Sequence, residues 1–212
     1  MRRIAAIAVL FILSACSTEV EKPYFKTTGV KAPSNAACQA NPQSFAQAEP
    51  IEDFSEGNGC GIRNGYNVSA IGNVGFSQPA TITCGVANTF NDWLQNAVQP
   101  RAQDAYGERV VSVKIAASYA CRPRNNVRGA KLSEHGMGNA IDVAGFTLAS
   151  GREVTVLDDY YGDNESRGFF RAVRADACGP FHTVLGPGSD AYHKDHLHLD
   201  LQRMRGGGPY CR

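Results

Sequence analysis

The sequence predicts a single α+β domain with a small antiparallel sheet of four to five strands, flanked by helices and stapled by disulfides. Three observations carry this expectation. Two segments repeat apolar residues at helical spacing, five short segments are rich in β-branched residues and bounded by turns, and the body of the chain holds an even number of cysteines. At 212 residues, 43% hydrophobic and 19% charged, the chain has material for one core of ordinary composition and a modest tail.

The clearest helix runs from about Val86 to Val98, where Val86, Phe90, Trp93, Leu94 and Ala97 fall on one face and Pro100 is expected to close the segment. A second is expected from Arg167 to Ala177, with Phe169, Phe170 and Val173 on one side and Gly179-Pro180 as its stop. Strands are expected over Val110 to Ala116, Ala140 to Phe146, Glu153 to Leu157, Phe181 to Leu185 and His196 to Leu201. The 10 prolines and 22 glycines are scattered as turn punctuation, with no internal repeat.

The first residues follow signal-peptide grammar. Arg2 and Arg3 precede an apolar run from Ile4 to Leu13, and small residues follow. The run falls short of the ~20 apolar residues a spanning helix needs. Leu13-Ser-Ala-Cys16 resembles the bacterial lipobox, which makes residues 1–15 a lipoprotein signal peptide and Cys16 the lipidated first residue of the mature protein. Ser17 in place of an aspartate resembles the outer-membrane sorting pattern, so the expected location is the cell envelope, anchored to the outer membrane and facing the periplasm. Residues 16–35 are polar, with Pro23, Gly29 and Pro33, and read as a tether. The folded domain is expected over 36–212.

Once Cys16 is set aside, Cys38, Cys60, Cys84, Cys121, Cys178 and Cys211 remain, an even set in an oxidising compartment. No two form the close C-x2-C pair of a structural zinc site, so their expected role is three disulfides. Neighbourhood along the chain suggests Cys84 with Cys121, Cys178 with Cys211 and Cys38 with Cys60. The sequence does not choose among the fifteen possible pairings. A formal net charge of +1 offers no broad basic field for a polyanion, which argues against nucleic acid as a partner. The chain is expected to be a monomer.

Four of the five histidines fall in two short segments, Ser133-Glu-His-Gly-Met-Gly-Asn-Ala-Ile-Asp142 and His193-Lys-Asp-His-Leu-His-Leu-Asp200. Taken singly, the first reads equally well as a loop histidine with a turn aspartate, and the second as a polar strand end. Together they collect the ligand types that zinc accepts, and a catalytic zinc keeps three protein ligands and one open position. His196 and His198 are two apart, so on a strand they share a face, and one can bind metal while the other handles a proton beside it. Asp200 shares their parity and is the better partner for a ligand imidazole, whereas Asp195 points away. His182 has no matching partner nearby and reads as structural. Ligand type alone also permits other divalent ions.

The block Ser133-x-His135-x-x-Gly138-x-Ala140-x-Asp142 followed by His196-x-His198 resembles the signature of the peptidase superfamily that contains lysostaphin, D-Ala-D-Ala carboxypeptidases and the hedgehog domain. More narrowly, Ser118-Tyr-Ala-Cys-Arg122 with both histidine blocks looks like the bacterial extensin-like C-terminal domain, over roughly Cys38 to Cys211. The chain lacks the proline-rich repeats of a plant wall rod.

That resemblance implies a hedgehog or D-Ala-D-Ala-peptidase-like fold, one zinc per chain, and His135, Asp142 and His198 as its ligands. It makes His196 the handler of the water proton and His193 a further active-site histidine. Arg122 becomes the candidate for stabilising an oxyanion, with a surface salt bridge as the plain alternative. Ser133 becomes a substrate-orienting residue or simply a turn cap. The implied activity is zinc-dependent hydrolysis of peptide bonds in peptidoglycan stem peptides or cross-links, as a murein endopeptidase or a D,D- or L,D-carboxypeptidase.

A rival reading is a non-catalytic, metal-containing peptidoglycan-binding or envelope-integrity lipoprotein on the same fold. The presence of all three ligands and both extra histidines favours the enzyme. The sequence lacks H-E-x-x-H, G-x-S-x-G, P-loop and dinucleotide fingerprints, so those chemistries have no support.

Overall fold

The computed structural model describes residues 47–212. The expected signal peptide, the tether, Cys16 and Cys38 lie outside the described residues.

The chain opens with β1 (Gln47–Ile51) and a separate hairpin of β2 (Phe54–Gly57) and β3 (Cys60–Ile62). Next come β4 (Gly65–Ile71), β5 (Val74–Thr83), α1 (Cys84–Trp93), a wide turn of π-helix at Leu94–Val98, and α2 (Gln99–Tyr106). After β6 (Val110–Ala117), a loop with two 3-10 turns leads into β7 (Ala140–Leu148), β8 (Glu153–Thr155), α3 (Val156–Asp159) and α4 (Asn164–Ala177). The chain closes with β9 (Thr183–Leu185), β10 (Leu197–Asp200) and β11 (Tyr210–Cys211).

Among the described residues the main sheet has nine strands in the order β1-β4-β5-β6-β7-β10-β9-β11, with β8 also paired to β7. It is mixed: β5–β6 and β9–β11 are parallel and the remaining pairs antiparallel. The expected small antiparallel sheet of four to five strands is therefore wrong, and strand outweighs helix. Apart from the short β11, the unforeseen strands lie before residue 84, where Gly, Asn, Ser, Gln and Pro make the sequence read as turns. β4 and β5 form a hairpin through Gly72-Asn73, with Gly72 at φ +55° and Ile71 opposite Val74. The β4–β5 register then slips, pairing Ala70 with Gly75 but Val68 with Ala80. Pro79 lies exposed in that slipped stretch, where a residue without an N–H is tolerated. The helical crossover from β5 makes parallel pairing with β6 possible.

Trp93 lies at the centre of the core. Its ring meets Phe90 at 5.4 Å, Phe146 at 6.2 Å and Phe181 at 6.3 Å, and its indole N–H donates to the Val173 carbonyl at 2.9 Å. Pro100 does not end the first helical segment as expected. The preceding π turn lets the Gln99 N–H reach the Leu94 carbonyl five residues back, and this widening accommodates the proline near the start of α2. The second helix forms as expected but begins earlier, capped by Asp163, whose carboxylate accepts from the Ser166 N–H at 2.7 Å. The strand expected over Glu153 to Leu157 stops at Thr155, because the Thr155 hydroxyl caps α3 by accepting from the Asp158 N–H. Among the described residues no helix is long and apolar enough to cross a membrane.

Two described disulfides join Cys60 to Cys121 and Cys178 to Cys211. The second was expected. The suggested Cys84–Cys121 and Cys38–Cys60 pairs are wrong, because the β2–β3 hairpin brings Cys60 beside the loop that follows β6. Cys84 is disulfide-bonded as well.

Candidate metal centre

Strand alternation builds the first half of the site. Asp142 on β7 and His198 on β10 are register partners, so their side chains stand together on one face. Ile141, Val143, Leu197 and Leu199 alternate with them and enter the hydrophobic cluster. The third member comes from a loop. Ser133 accepts from the His135 N–H at 3.4 Å and starts a 3-10 turn over Glu134–Met137, which Gly138 ends at φ +62°. A Cβ at Gly138 would stand 2.5 Å from Ile62 Cδ1, so glycine meets both the conformational and the steric demand.

His135, Asp142 and His198 are all buried, and together they can hold a metal ion, with one ligand atom from each lying within 4.8 Å of the others. His135 Nε2 is 3.1 Å from Asp142 Oδ2 and 3.1 Å from His198 Nδ1, and His198 Nδ1 is 2.9 Å from Asp142 Oδ1. Nitrogen and oxygen ligands about 2.0–2.1 Å from a tetrahedral zinc would stand about 3.3 Å apart, so the three groups are already near the required spacing.

Their outer contacts fix which nitrogens are available. His135 Nδ1 lies 2.7 Å from the Ser118 carbonyl, which only accepts, so Nδ1 carries the proton and Nε2 is the ligand atom. His198 Nε2 lies 2.9 Å from Asp200 Oδ2, which holds that proton and turns Nδ1 toward Asp142 and His135. Burial alone would push the Asp142 carboxyl up, but hydrogen bonds and charge from His135 and His198 outweigh it and hold Asp142 well below the usual carboxylate range. Burial would lower His198, but Asp142 and Asp200 together push it up to about 9. The cluster favours a charged carboxylate beside two imidazoles, the donor types that a divalent ion accepts.

The other expected residues converge on the same cleft, a cavity of about 390 Å³. His196 precedes β10, with Nε2 3.6 Å from Asp142 Oδ2 and Nδ1 2.8 Å from Asp195 Oδ1. His193 is buried, its ring 5.2 Å from that of His196 and 5.6 Å from that of His198, and its Nδ1 is 2.7 Å from Asp190 Oδ1. Burial lowers its pKa against the pull of Asp190. Arg122 is half-buried in the cleft wall. Ser133 also lines the cleft, but its hydroxyl is engaged in the cap just described. His182 stands apart, with Nδ1 2.9 Å from the Leu201 carbonyl.

Sequence reasoning missed three contributors. Glu134 is buried beside His135, and burial raises its pKa although Asn139 donates to it at 2.6 Å. Asp190 precedes His193 by one turn, a spacing that could have suggested the pair. Arg124 lies 3.8 Å from Glu134 and donates to Gln202 Oε1 at 2.7 Å, a contact across 78 residues that no local pattern shows.

Residues 36–212 match the family described as Extensin-like protein C-terminus. No curated protein and no solved structure matches the chain.

Proposed function

Since the chain belongs to the extensin-like protein C-terminus family, we propose that it is a zinc-dependent peptidase hydrolysing peptide bonds of peptidoglycan, exported and held at the outer membrane by lipid on Cys16. The observation that carries this reading is the convergence of His135 Nε2, the Asp142 carboxylate and His198 Nδ1, with both tautomers set by outer contacts, beside His193 and His196 in an open cleft. The superfamily signature across Ser133 to Asp142 and His196-x-His198 adds zinc and peptide cleavage to the reading.

Zinc held by His135, Asp142 and His198 would supply a Lewis acid and would acidify a water. His196, its Nδ1 oriented by Asp195, presents Nε2 to the cleft as a group that can accept and return a proton. His193, its Nδ1 proton directed to Asp190, leaves Nε2 to bind the substrate or relay that proton. Arg122 contributes positive charge where the scissile carbonyl develops its own negative charge. Asp200 keeps His198 oriented, and Ser133 shapes the turn that presents His135.

The test is to incubate the protein and its His198→Ala variant with purified peptidoglycan and defined muropeptides, with and without chelator. Products are read by chromatography and mass spectrometry, and metal content by elemental analysis. Stoichiometric zinc and new fragments from the wild type alone, abolished by chelation, are expected. An unchanged muropeptide profile from zinc-loaded protein would overturn the catalytic reading.

A further inference from the structure

Three of the six large apolar side chains exposed among the described residues line the cleft of the candidate metal centre: Tyr192 at 55%, Met204 at 39% and Tyr210 at 37%. The sheet register explains why apolar surface gathers there. His198 pairs with Leu185, and Asp200 pairs with Thr183, which pairs in turn with Tyr210. Register partners share a face, so the row that begins at the candidate ligands continues across β9 to β11, the last strand of the sheet. Its chemistry changes on the way, from imidazoles and carboxylates to Leu185, Thr183 and the Tyr210 ring. Exposed apolar surface beside a polar site marks a place where another molecule packs.

The two tyrosines are held in place. The Cys178–Cys211 disulfide ties β11 to the end of α4, and the Tyr210 and Arg212 N–H groups donate to the His182 and Val184 carbonyls at 2.7 and 2.9 Å. The Arg212 guanidinium lies over the Tyr210 ring, 5.2 Å from its centroid, and orients it. The Tyr192 N–H donates at 2.8 Å to Asp190 Oδ1, the oxygen that also meets His193 Nδ1. Nor is the patch purely apolar. No hydrogen bond engages the Tyr192 or Tyr210 hydroxyl among the described residues, and Thr183, only 7% exposed, has a buried hydroxyl without a partner. Buried hydroxyls are normally satisfied, and an occupant of the cleft is what can satisfy this one.

Resting on the peptidase reading above, we propose that Tyr192, Tyr210 and Thr183 form a sugar subsite, so that the protein takes peptides still joined to the glycan of peptidoglycan in preference to free peptides. A pyranose ring presents C–H groups on its face and hydroxyls around its rim, which suits tyrosine rings that stack and hydroxyls that bond. An apolar side chain would call for an enclosed pocket, whereas these rings stand open to solvent. The spacing agrees with the chemistry. β11 lies two strand spacings from β10, about 10 Å, which is about three residues of extended peptide. A sugar carried about three residues from the scissile bond therefore reaches the tyrosines while that bond lies beside the candidate ligands.

The test compares three probes on the zinc-loaded protein: a disaccharide-tetrapeptide muropeptide, the free tetrapeptide of the same sequence, and that tetrapeptide with a phenylacetyl cap in place of the sugar. Affinity is read by calorimetry, or kcat/KM where mass spectrometry shows that a probe is cleaved. The disaccharide probe should bind about tenfold tighter than the free tetrapeptide, the scale of one good stacking contact, and the capped peptide no tighter than the free one. Tyr210→Ala and Tyr192→Ala should each reduce that preference severalfold, with free-tetrapeptide affinity and zinc content unchanged. Tyr210→Phe should keep most of it, and Leu157→Ala, exposed but outside the cleft lining, should leave it intact. Equal affinity for sugar-bearing and free peptide, an equal gain from the phenylacetyl cap, or a preference undiminished in both alanine variants overturns the proposal. Failure of the disaccharide probe to bind at millimolar concentration does so too. Sugar preference without cleavage of any probe or of whole peptidoglycan would sink the peptidase reading alone, and cleavage without preference would sink this one alone.

Discussion

The two faces of β7 and β10 carry opposite chemistry along the same few residues. Ile141, Val143, Leu197 and Leu199 enter the core around Trp93, while Asp142, His198 and Asp200 face the cleft. Both sets are buried, so burial alone does not separate them. What separates them is how each is satisfied. The first set needs only close packing, whereas the second needs a partner for every charge and obtains it from His135 and from one another. A period of two residues lets one short strand pair serve both demands, and the loop carrying His135 completes the polar face without disturbing the apolar one.

If the faces are independent, damage to each should have its own signature. The largest effect is expected on the apolar face. Trp93→Ala removes the central ring and leaves the Val173 carbonyl without its donor, and should cost about 3–5 kcal/mol. Chemical denaturation should show a transition at much lower denaturant with or without added zinc. On the polar face, His198→Ala should lose stoichiometric metal while keeping the far-ultraviolet circular dichroism of the wild type. With free zinc a thousandfold above its dissociation constant, the wild type should gain about 4 kcal/mol from the ligand and the variant nothing, which a melting series with and without chelator would measure. A His198→Ala variant that unfolds outright would show that the faces are coupled.

Most of the candidate site was legible because its chemistry is local. His135 and Asp142 share one short block, His196 and His198 share a strand-period spacing, and parity pointed to Asp200 as the partner of His198, but it wrongly turned Asp195 away, because His196 precedes the strand and its Nδ1 meets Asp195 at 2.8 Å. The contacts that stayed hidden are backbone or long-range. The Ser118 carbonyl that sets the His135 tautomer has no sequence signature, and the Arg124–Gln202 bond depends on the C-terminal segment returning beside the loop. In the fold, the helices around Phe90, Trp93 and Phe169 were visible from apolar periodicity, but β4 and β5 were not. Their alternation is interrupted by Gly, Asn, Ser and Pro79, which the register slip absorbs once the partner strands are in place. The size of the sheet was lost with those strands, and the Cys60–Cys121 bridge with the equally unforeseen β2–β3 hairpin.

A finer test of the polar face is Asp200→Asn. The amide keeps the size of the side chain but no longer supplies the negative charge that holds the His198 Nε2 proton. Metal affinity should fall about 10–100-fold, read by competition with a chromophoric chelator, with the denaturation midpoint of the metal-free protein moving far less. An unchanged affinity would mean that His198 is oriented by packing alone.

The smallest effect returns to the apolar face through a polar cap. Asp163 begins α4, which places Phe169, Phe170 and Val173 in the core, and its carboxyl is held below the usual range chiefly by the backbone N–H of Ser166. A group depressed in this way stabilises the folded state above its unfolded pKa of about 3.9, and the contribution is lost as pH falls through the lower folded value. Asp163→Ala should therefore lower the melting temperature slightly at pH 7, and the gap to wild type should narrow below about pH 4 as the carboxylate protonates. Zinc affinity at pH 7 should not change, because Phe169 and Phe170 of α4 pack against Phe146 of β7, in the core and away from the cleft. A measurable loss of zinc affinity in Asp163→Ala would show that the packing of α4 is transmitted through β7 to the ligands, and the independence of the two faces would have to be abandoned.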